Sequence, residues 1–195
     1  KIMTIKMKSK NGRFAKLAVL GEVVFHSGDA ANIWDIKSGN TLHTTLSRYA
    51  RQGLVYRLQK GLYSLKKAAD LDPHLIGLKA LHGPAYVSCE TVLFSGSVVN
   101  QAPREITFVG GVSRRFTIAG IRFRCRKLHD RYLYNDAGII VKNGIRRATL
   151  ERAVADMLYF NPLKYFDSAS SNLVDWNKVR QIAEAVGYEI KKSLA

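Results

Sequence analysis

The spacing of apolar residues near the start of the chain predicts two consecutive helices. Apolar residues recur at helical intervals over residues 14–25, so that segment is the first predicted helix. The stretch "HSGDAANIWDI" predicts a short second helix that runs through Trp34, with Ser27 or Asp29 as its N-cap.

A third predicted helix, residues 41–52, separates its apolar side chains from its polar ones. Asn40 or Thr41 is its predicted N-cap, and Gly53 ends it. Its apolar face consists of Leu42, Leu46, Tyr49 and Ala50. The opposite face consists of His43, Thr44, Ser47, Arg48 and Arg51, with the hydroxyl of Thr41 at the start of the helix.

Two short alternating runs follow this helix and predict a β-hairpin. "LVYRL" and "GLYSL" flank the glycine-containing turn "QKG", and the hairpin carries Arg57 and Lys60. Three helices and then a hairpin are the element order of a winged helix-turn-helix. The polar, proline-terminated segment "KKAADLDP" comes next and predicts a boundary between domains at 1–68 and 69–195.

The remainder of the chain predicts a second domain of mixed α+β structure. "HLIGLKAL" and "YVSCETVLFSG" predict short helices, the latter capped by Ser88. A strand-rich block follows, with tight turns at Ala119-Gly120 and Asn143-Gly144. Thr149 is the predicted cap of the helix "LERAVADMLYF", and Gly187 closes the last helix, "VDWNKVRQIAEAVGY". The predicted fold class is therefore α+β, a winged helix followed by a mixed domain.

Net charge is the property of the composition that says most about possible partners. The 195 residues include 31 Lys and Arg against 15 Asp and Glu, a net charge of +16 with a pI near 10.0. Hydrophobic residues make up 47% of the chain, which favours a folded core over disorder. Residues 1–70 hold 13 basic and 4 acidic side chains, and residues 104–152 hold 12 and 4. Two basic regions point to nucleic acid as the partner, with an anionic membrane surface as the weaker alternative.

The two cysteines do not form a recognisable metal or redox motif. Cys89 and Cys125 lie 36 residues apart without CxxC or Cys/His spacing, so we expect reduced, buried thiols in a cytoplasmic protein. No apolar run reaches the roughly 18 residues that a membrane span needs, and we expect no membrane partner. No metal site and no cofactor is expected either.

The third predicted helix carries the side chains that reading DNA requires. Hydroxyl and imidazole groups near its start can reach base edges and phosphates, and arginines can fork onto guanine or clamp the backbone. An ordinary solvated helix face is the alternative for this helix alone. The cations of the hairpin, Arg57 and Lys60, favour the DNA interpretation because a wing with a basic tip can contact phosphates.

A second basic surface is predicted on the strand "IRFRCRK". Arg122, Arg124 and Arg126 alternate with apolar residues and so share one side, with Arg114 and Arg115 on the neighbouring run. The surface could bind DNA backbone, RNA or an acidic protein, or it could only keep a sheet face in water.

Signals for an enzyme are weak, and we expect none. There is no GxGxxG or Walker loop, and the five histidines have no metal-ligand spacing. Glu189 and Lys191 match the E-x-K part of a nuclease site, but no acidic partner on a suitable strand accompanies them.

Six segments follow one another in a fixed order over most of residues 41–160: "GLVYRLQKGLYSL", "YVSCETVLFSG", "QAPREITFV", "RRF", "GIRFR" and "ATLERAVADMLYF". In these segments and their order the chain resembles the AbiEi family, the antitoxins of type IV abortive-infection toxin–antitoxin systems. The matching positions are Tyr86, Val87, Ser88, Glu90, Thr149, Glu151, Arg152, Ala153 and Asp156. Leu150 stands where the family often has proline.

The resemblance implies a transcriptional repressor that binds double-stranded DNA at inverted repeats in its own promoter, which would suit a dimer on the DNA. It implies a second domain that counteracts a cognate nucleotidyltransferase toxin in phage defence, without requiring a stable complex. It also implies no enzymatic activity. A stand-alone winged-helix regulator, whose second domain senses a ligand or dimerises, is the alternative.

Overall fold

The computed structural model describes residues 12–19, 21–166 and 172–189 and divides into two compact units. These units are Lys1–Asp72 and Pro73–Ala195. The division thus falls after Asp72 rather than at residue 68, because a 3-10 turn at Ala68–Asp70 continues the first unit. Both units combine helices with strands, so the predicted α+β class is confirmed.

The described residues of the first unit form three α-helices and three short strands. In chain order they are α1 (Gly12–Val19), β1 (Val24–His26), α2 (Ser27–Trp34), α3 (Gly39–Arg51), β2 (Tyr56–Gln59) and β3 (Leu62–Ser64). The strands form an antiparallel sheet in the order β1-β3-β2. The predicted hairpin of "LVYRL" and "GLYSL" is confirmed as β2 and β3, with an irregularity between Arg57 and Gln59.

The prediction of a first helix over residues 14–25 was wrong at its C-terminal end. Val24 and Phe25 belong to β1, where they pair with Ser64 and Tyr63. Gly21 precedes them with φ +69°, a conformation that glycine adopts at little cost and that does not continue a helix. A short apolar run fits a strand as well as a helix, and the sheet decides between them here.

The predicted N-caps of α2 and α3 were also displaced. The N-cap of α2 is His26, and the Asp29 carboxylate accepts a hydrogen bond from the His26 N–H at 2.9 Å, so Asp29 lies inside the first turn. The N-cap of α3 is Ser38, whose hydroxyl oxygen accepts from the Thr41 N–H. Gly53 follows α3 with φ +68°, as a residue that ends a helix requires.

The core of the first unit joins the three helices to the hairpin. It consists of Leu17, Phe25, Ala30, Trp34, Leu42, Leu46, Tyr49, Val55 and Tyr63. The Trp34 ring meets the Tyr49 ring edge-on at 5.7 Å, and its Nε1–H donates to the Arg13 carbonyl at 2.7 Å. Trp34 therefore links α1, α2 and α3 and fixes which face of α3 is turned inward.

The second unit is built on a six-stranded sheet. Its elements within the described residues are α4 (Pro73–Leu81), β4 (Ala85–Val87), α5 (Glu90–Ser95), β5 (Ile106–Gly110), β6 (Arg114–Ile118), β7 (Ile121–Lys127), α6 (Asp130–Leu133), β8 (Ile139–Lys142), β9 (Ile145–Ala148), α7 (Leu150–Phe160) and α8 (Trp176–Val186). The strand order is β6-β7-β5-β4-β9-β8, and the pairs β5–β7 and β4–β9 are parallel. The turns at Ala119-Gly120 and Asn143-Gly144 have positive φ at both residues and join the antiparallel pairs β6–β7 and β8–β9, which confirms both predicted turns.

Helices cover both faces of this sheet. Gly77 of α4 lies against Phe108 and Phe123 on one face, and α7 lies against Tyr86 on the other. The predicted cap of α7 is confirmed, because the Thr149 hydroxyl oxygen accepts from the Arg152 N–H at 3.2 Å. The predicted closing residue of α8 is confirmed as well, since Gly187 has φ +89°.

The interpretation of "YVSCETVLFSG" as one helix was wrong. Tyr86 and Val87 lie in β4, and the helix begins only at Glu90. Ser88 does not cap it, because the buried Ser88 hydroxyl donates to the Asp156 carboxylate at 2.7 Å. Cys89 holds the N-cap position with φ +54°. Within the described ranges, no helix combines the length and the apolar character that crossing a bilayer requires.

Candidate nucleic-acid interface

The polar face of α3 lies entirely in solvent. This face, called the α3 polar face below, consists of Thr41, His43, Thr44, Ser47, Arg48 and Arg51, all of them exposed. The opposite side is buried through Leu42, Leu46 and Tyr49, together with Thr45, which is 5% exposed. The predicted division of this helix into a core face and a solvent face is therefore confirmed.

The charged side chains of α3 are all basic, which favours the binding of an anion. No residue of Gly39–Arg51 is acidic, and Arg48 and Arg51 stand in its last turn. The Arg48 guanidinium lies 5.5 Å from the centre of the Tyr49 ring, which holds its stem against the helix surface. The N-terminal turn carries hydroxyl and imidazole groups beside backbone N–H groups, an arrangement suited to phosphate.

The hairpin of the first unit presents its two cations outward. Arg57 lies in β2 and Lys60 in the following turn, and both are exposed. Gly61 has φ +80°, and its carbonyl accepts from the Ser27 N–H at 2.8 Å, which fastens the turn to the start of α2. The turn is therefore held by the same sheet and helix that position α3.

Strand register divides the predicted second basic surface between two faces of the sheet. Arg115 lies opposite Arg124 and so shares its face, whereas Arg114 lies opposite Cys125. The Arg114 guanidinium stacks 5.0 Å from the Phe116 ring on that other face. The prediction was wrong for Arg114, because successive residues of a strand point to opposite sides.

Ion pairing reduces the number of arginines on this surface that are free to bind an outside anion. Arg126 is paired with Glu90 and its side chain is only 14% exposed. Arg115 is paired with Glu105 at 3.3 Å. In the part of the chain that the structure describes, Arg122 and Arg124 have no ion-pair partner. The cations available to an outside anion on this face are therefore Arg122 and Arg124, with Arg115 beside them.

A buried polar cluster in the second unit was not predicted as a site. Arg152 and Asp156 are completely buried one turn apart on α7, and their Nε–Oδ1 distance is 2.9 Å. The hydroxyls of Tyr188, Tyr86 and Ser88 donate to Asp156 at 2.7, 3.2 and 2.7 Å. The sequence does contain a signal for it, since an acid and a base at i and i+4 interrupt an otherwise apolar helix face.

Burial controls the protonation of this cluster. Burial, and then the negative charge of Asp156, raises the pKa of Tyr86 and of Tyr188 well above the ordinary value. Burial alone would lower the pKa of Arg152, but the carboxylate of Asp156 and the two tyrosines together raise it, so Arg152 stays charged. A fully enclosed pair cannot reach a substrate, so we assign the cluster a structural role.

Residues that could support catalysis remain scattered. Glu189 is exposed just beyond α8, and Lys191 lies outside the described residues. Cys89 and Cys125 are free, buried thiols, as predicted, and burial raises the pKa of Cys125 to about 11. The described residues contain no group of three His, Cys, Asp or Glu placed to hold a metal ion.

A scan of protein-family models and a search of curated proteins found no match to this chain.

Proposed function

We propose that the first unit is a winged helix-turn-helix domain that binds duplex DNA. The order α1-β1-α2-α3-β2-β3 with an antiparallel three-stranded sheet supports this proposal, because winged helices combine these elements. In this arrangement α3 is the recognition helix and the β2–β3 hairpin is the wing.

The observation that carries the proposal is the α3 polar face. All six of its side chains are exposed, none is acidic, and the helix is anchored from behind by Leu42, Leu46 and Tyr49. With α3 in the major groove, the residues near its start approach base edges, and Arg48 and Arg51 approach guanine or phosphate. Arg57 and Lys60 then contact the flanking backbone.

The experiment compares two double variants of the first unit by gel shift on the duplex upstream of the gene. In Arg48→Ala with Arg51→Ala, each lost contact should cost about 1–3 kcal/mol. The control is Lys66→Ala with Lys67→Ala, two exposed cations that follow β3 and lie off α3. Equal affinities of the two double variants would contradict the assignment of α3 as the recognition helix.

The proposal also covers the biological role. The protein represses its own operon at inverted repeats and counteracts a nucleotidyltransferase toxin, with no enzymatic activity of its own. This part rests on the resemblance to AbiEi antitoxins. It is supported by the positions Tyr86, Ser88, Arg152 and Asp156, which carry the resemblance and meet in one buried cluster.

Co-expression with the product of the neighbouring gene tests this role. The antitoxin proposal expects restored growth when the intact chain is present. Reversing the charges of Arg122 and Arg124 tests whether the basic sheet face takes part in rescue or in DNA binding. If neither rescue nor DNA binding is lost, these arginines only keep a sheet face in water. No toxicity of the neighbouring product would favour the stand-alone regulator.

A further inference from the structure

A groove of about 490 Å³ opens in the second unit between β7 and the C-terminal end of α7. Its walls include Glu90, Arg124, Arg126, Lys127, Phe160 and Lys164. The volume lies in the range of small-molecule sites in proteins, roughly 300–1,000 Å³. Four cations against one carboxylate make it a site for an anion.

Three of these cations are not engaged. Arg124, Lys127 and Lys164 have no ion-pair partner within the described ranges of the chain. They lie around a concave surface rather than on a flat one, so their positive potentials add inside the groove. A phosphate group, which offers several acceptor oxygens, fits such a set of donors.

The fourth cation lies over an aromatic ring. The Arg126 guanidinium lies 5.6 Å from the centre of the Phe160 ring. Guanidinium planes and phenyl rings are the two surfaces on which nucleobases stack in proteins. The groove therefore combines a flat stacking surface with the cations that phosphates require.

Glu90 holds the Arg126 guanidinium in place. Its carboxylate pairs with Arg126 through Oε1, while its Oε2 and the Arg126 Nε are buried without hydrogen-bond partners among the described residues. The Arg126 side chain is only 14% exposed, and its charge is balanced by the carboxylate of Glu90. The phosphates of a ligand therefore fall to Arg124, Lys127 and Lys164.

We propose that this groove binds a nucleotide. The base stacks on Phe160 beside Arg126, and the phosphates lie on Arg124, Lys127 and Lys164. The site is separate from the α3 polar face, so it does not depend on the DNA-binding proposal.

Isothermal titration of the full chain with CTP, ATP, GTP, UTP and sodium tripolyphosphate tests the proposal. At least one nucleotide should bind at one site per chain and about tenfold more tightly than tripolyphosphate, because stacking of the base adds to the phosphate contacts. ATP and tripolyphosphate form the sharpest pair, since they share the triphosphate and differ in the nucleoside.

Variants separate the parts of the site. Arg124→Glu with Lys164→Glu should weaken the nucleotide by at least about tenfold, since it removes two charge-assisted contacts. Phe160→Leu should weaken the nucleotide but not tripolyphosphate. The control Arg180→Glu changes an exposed arginine on α8 and should leave binding unchanged, as should the Arg48→Ala with Arg51→Ala variant.

Three results would overturn the proposal. One is the absence of nucleotide binding at millimolar concentration, and another is equal affinity for tripolyphosphate and every nucleotide. The third is an equal loss of binding in Arg122→Glu, which lies in the adjoining groove with Arg124 and Thr107. That result would indicate an extended nucleic-acid strand across both grooves instead of a single nucleotide.

Discussion

Arg152 and Asp156 form an ion pair in which both side chains are fully buried and the guanidinium Nε donates to the carboxylate at 2.9 Å. The same guanidinium donates to the carbonyls of Asn135 and Ala137 in the segment before β8. The carboxylate accepts from Tyr188, just beyond α8. The pair therefore joins α7 to two other segments of the second unit, the one before β8 and the one just beyond α8.

Removing one partner of this ion pair should destabilise the second unit severely. In Asp156→Ala the buried guanidinium loses its carboxylate, and removal of one partner of a buried pair typically costs about 3–5 kcal/mol. Urea unfolding followed by the fluorescence of Trp176, in a Trp34→Phe background, measures the effect in the second unit. The control is Lys178→Ala, which removes an exposed lysine that lies 3.8 Å from Glu151 and should cost about 0–1 kcal/mol. Similar losses of unfolding free energy in both variants would show that the buried pair contributes no more to stability than the exposed lysine.

Alkaline pH should unfold the second unit through its buried tyrosines. Burial raises the pKa of Tyr86 and Tyr188 above the ordinary 10.0. The unfolded chain releases these protons near pH 10 while the folded chain retains them, so stability is fully present below about pH 10 and is lost as pH rises further. Urea midpoints between pH 8 and 11.5 measure the slope. Tyr188→Phe should reduce that slope above pH 10 by about 1.4 kcal/mol per pH unit, one proton's worth. An unchanged slope would mean that Tyr188 ionises normally in the folded protein.

Gly77 of α4 should not accept a side chain. A Cβ at this position would come within 2.4 Å of Phe108 and 2.8 Å of Phe123. Gly77→Ala should therefore cost about 1–3 kcal/mol by overpacking, despite the better helix propensity of alanine. Gly39→Ala in α3 is the matched control, because a Cβ there meets nothing within 4 Å and should be neutral or slightly stabilising. A neutral Gly77→Ala would mean that α4 can move away from the sheet.

The sequence was most informative where local chemistry decides the structure. The polar and apolar faces of α3, the Asn143-Gly144 turn, the Thr149 cap and the closing Gly187 all follow from spacing or from backbone preference. It was least informative where long-range pairing decides. Val24 and Phe25 become a strand only because β3 lies beside them, and Tyr86 and Val87 do so because β5 pairs with them.

The basic sheet illustrates the same limit within the candidate site. Alternation along β7 correctly placed Arg122, Arg124 and Arg126 on one side. The register of the neighbouring strand, which puts Arg115 and not Arg114 on that side, depends on where the β6–β7 turn closes. The pairing of Arg126 with Glu90 depends on how α5 packs, which no local pattern reveals.

A salt titration of binding tests the proposal that α3 reads DNA sequence. The intact protein is titrated with the duplex upstream of its own gene and with a scrambled duplex of equal length, across rising salt. If α3 reads base sequence, the upstream duplex binds more tightly, and the preference survives as both affinities fall, because base contacts do not release counterions. Equal affinities that collapse together would contradict it, and would reduce the α3 polar face to a general surface for polyanions.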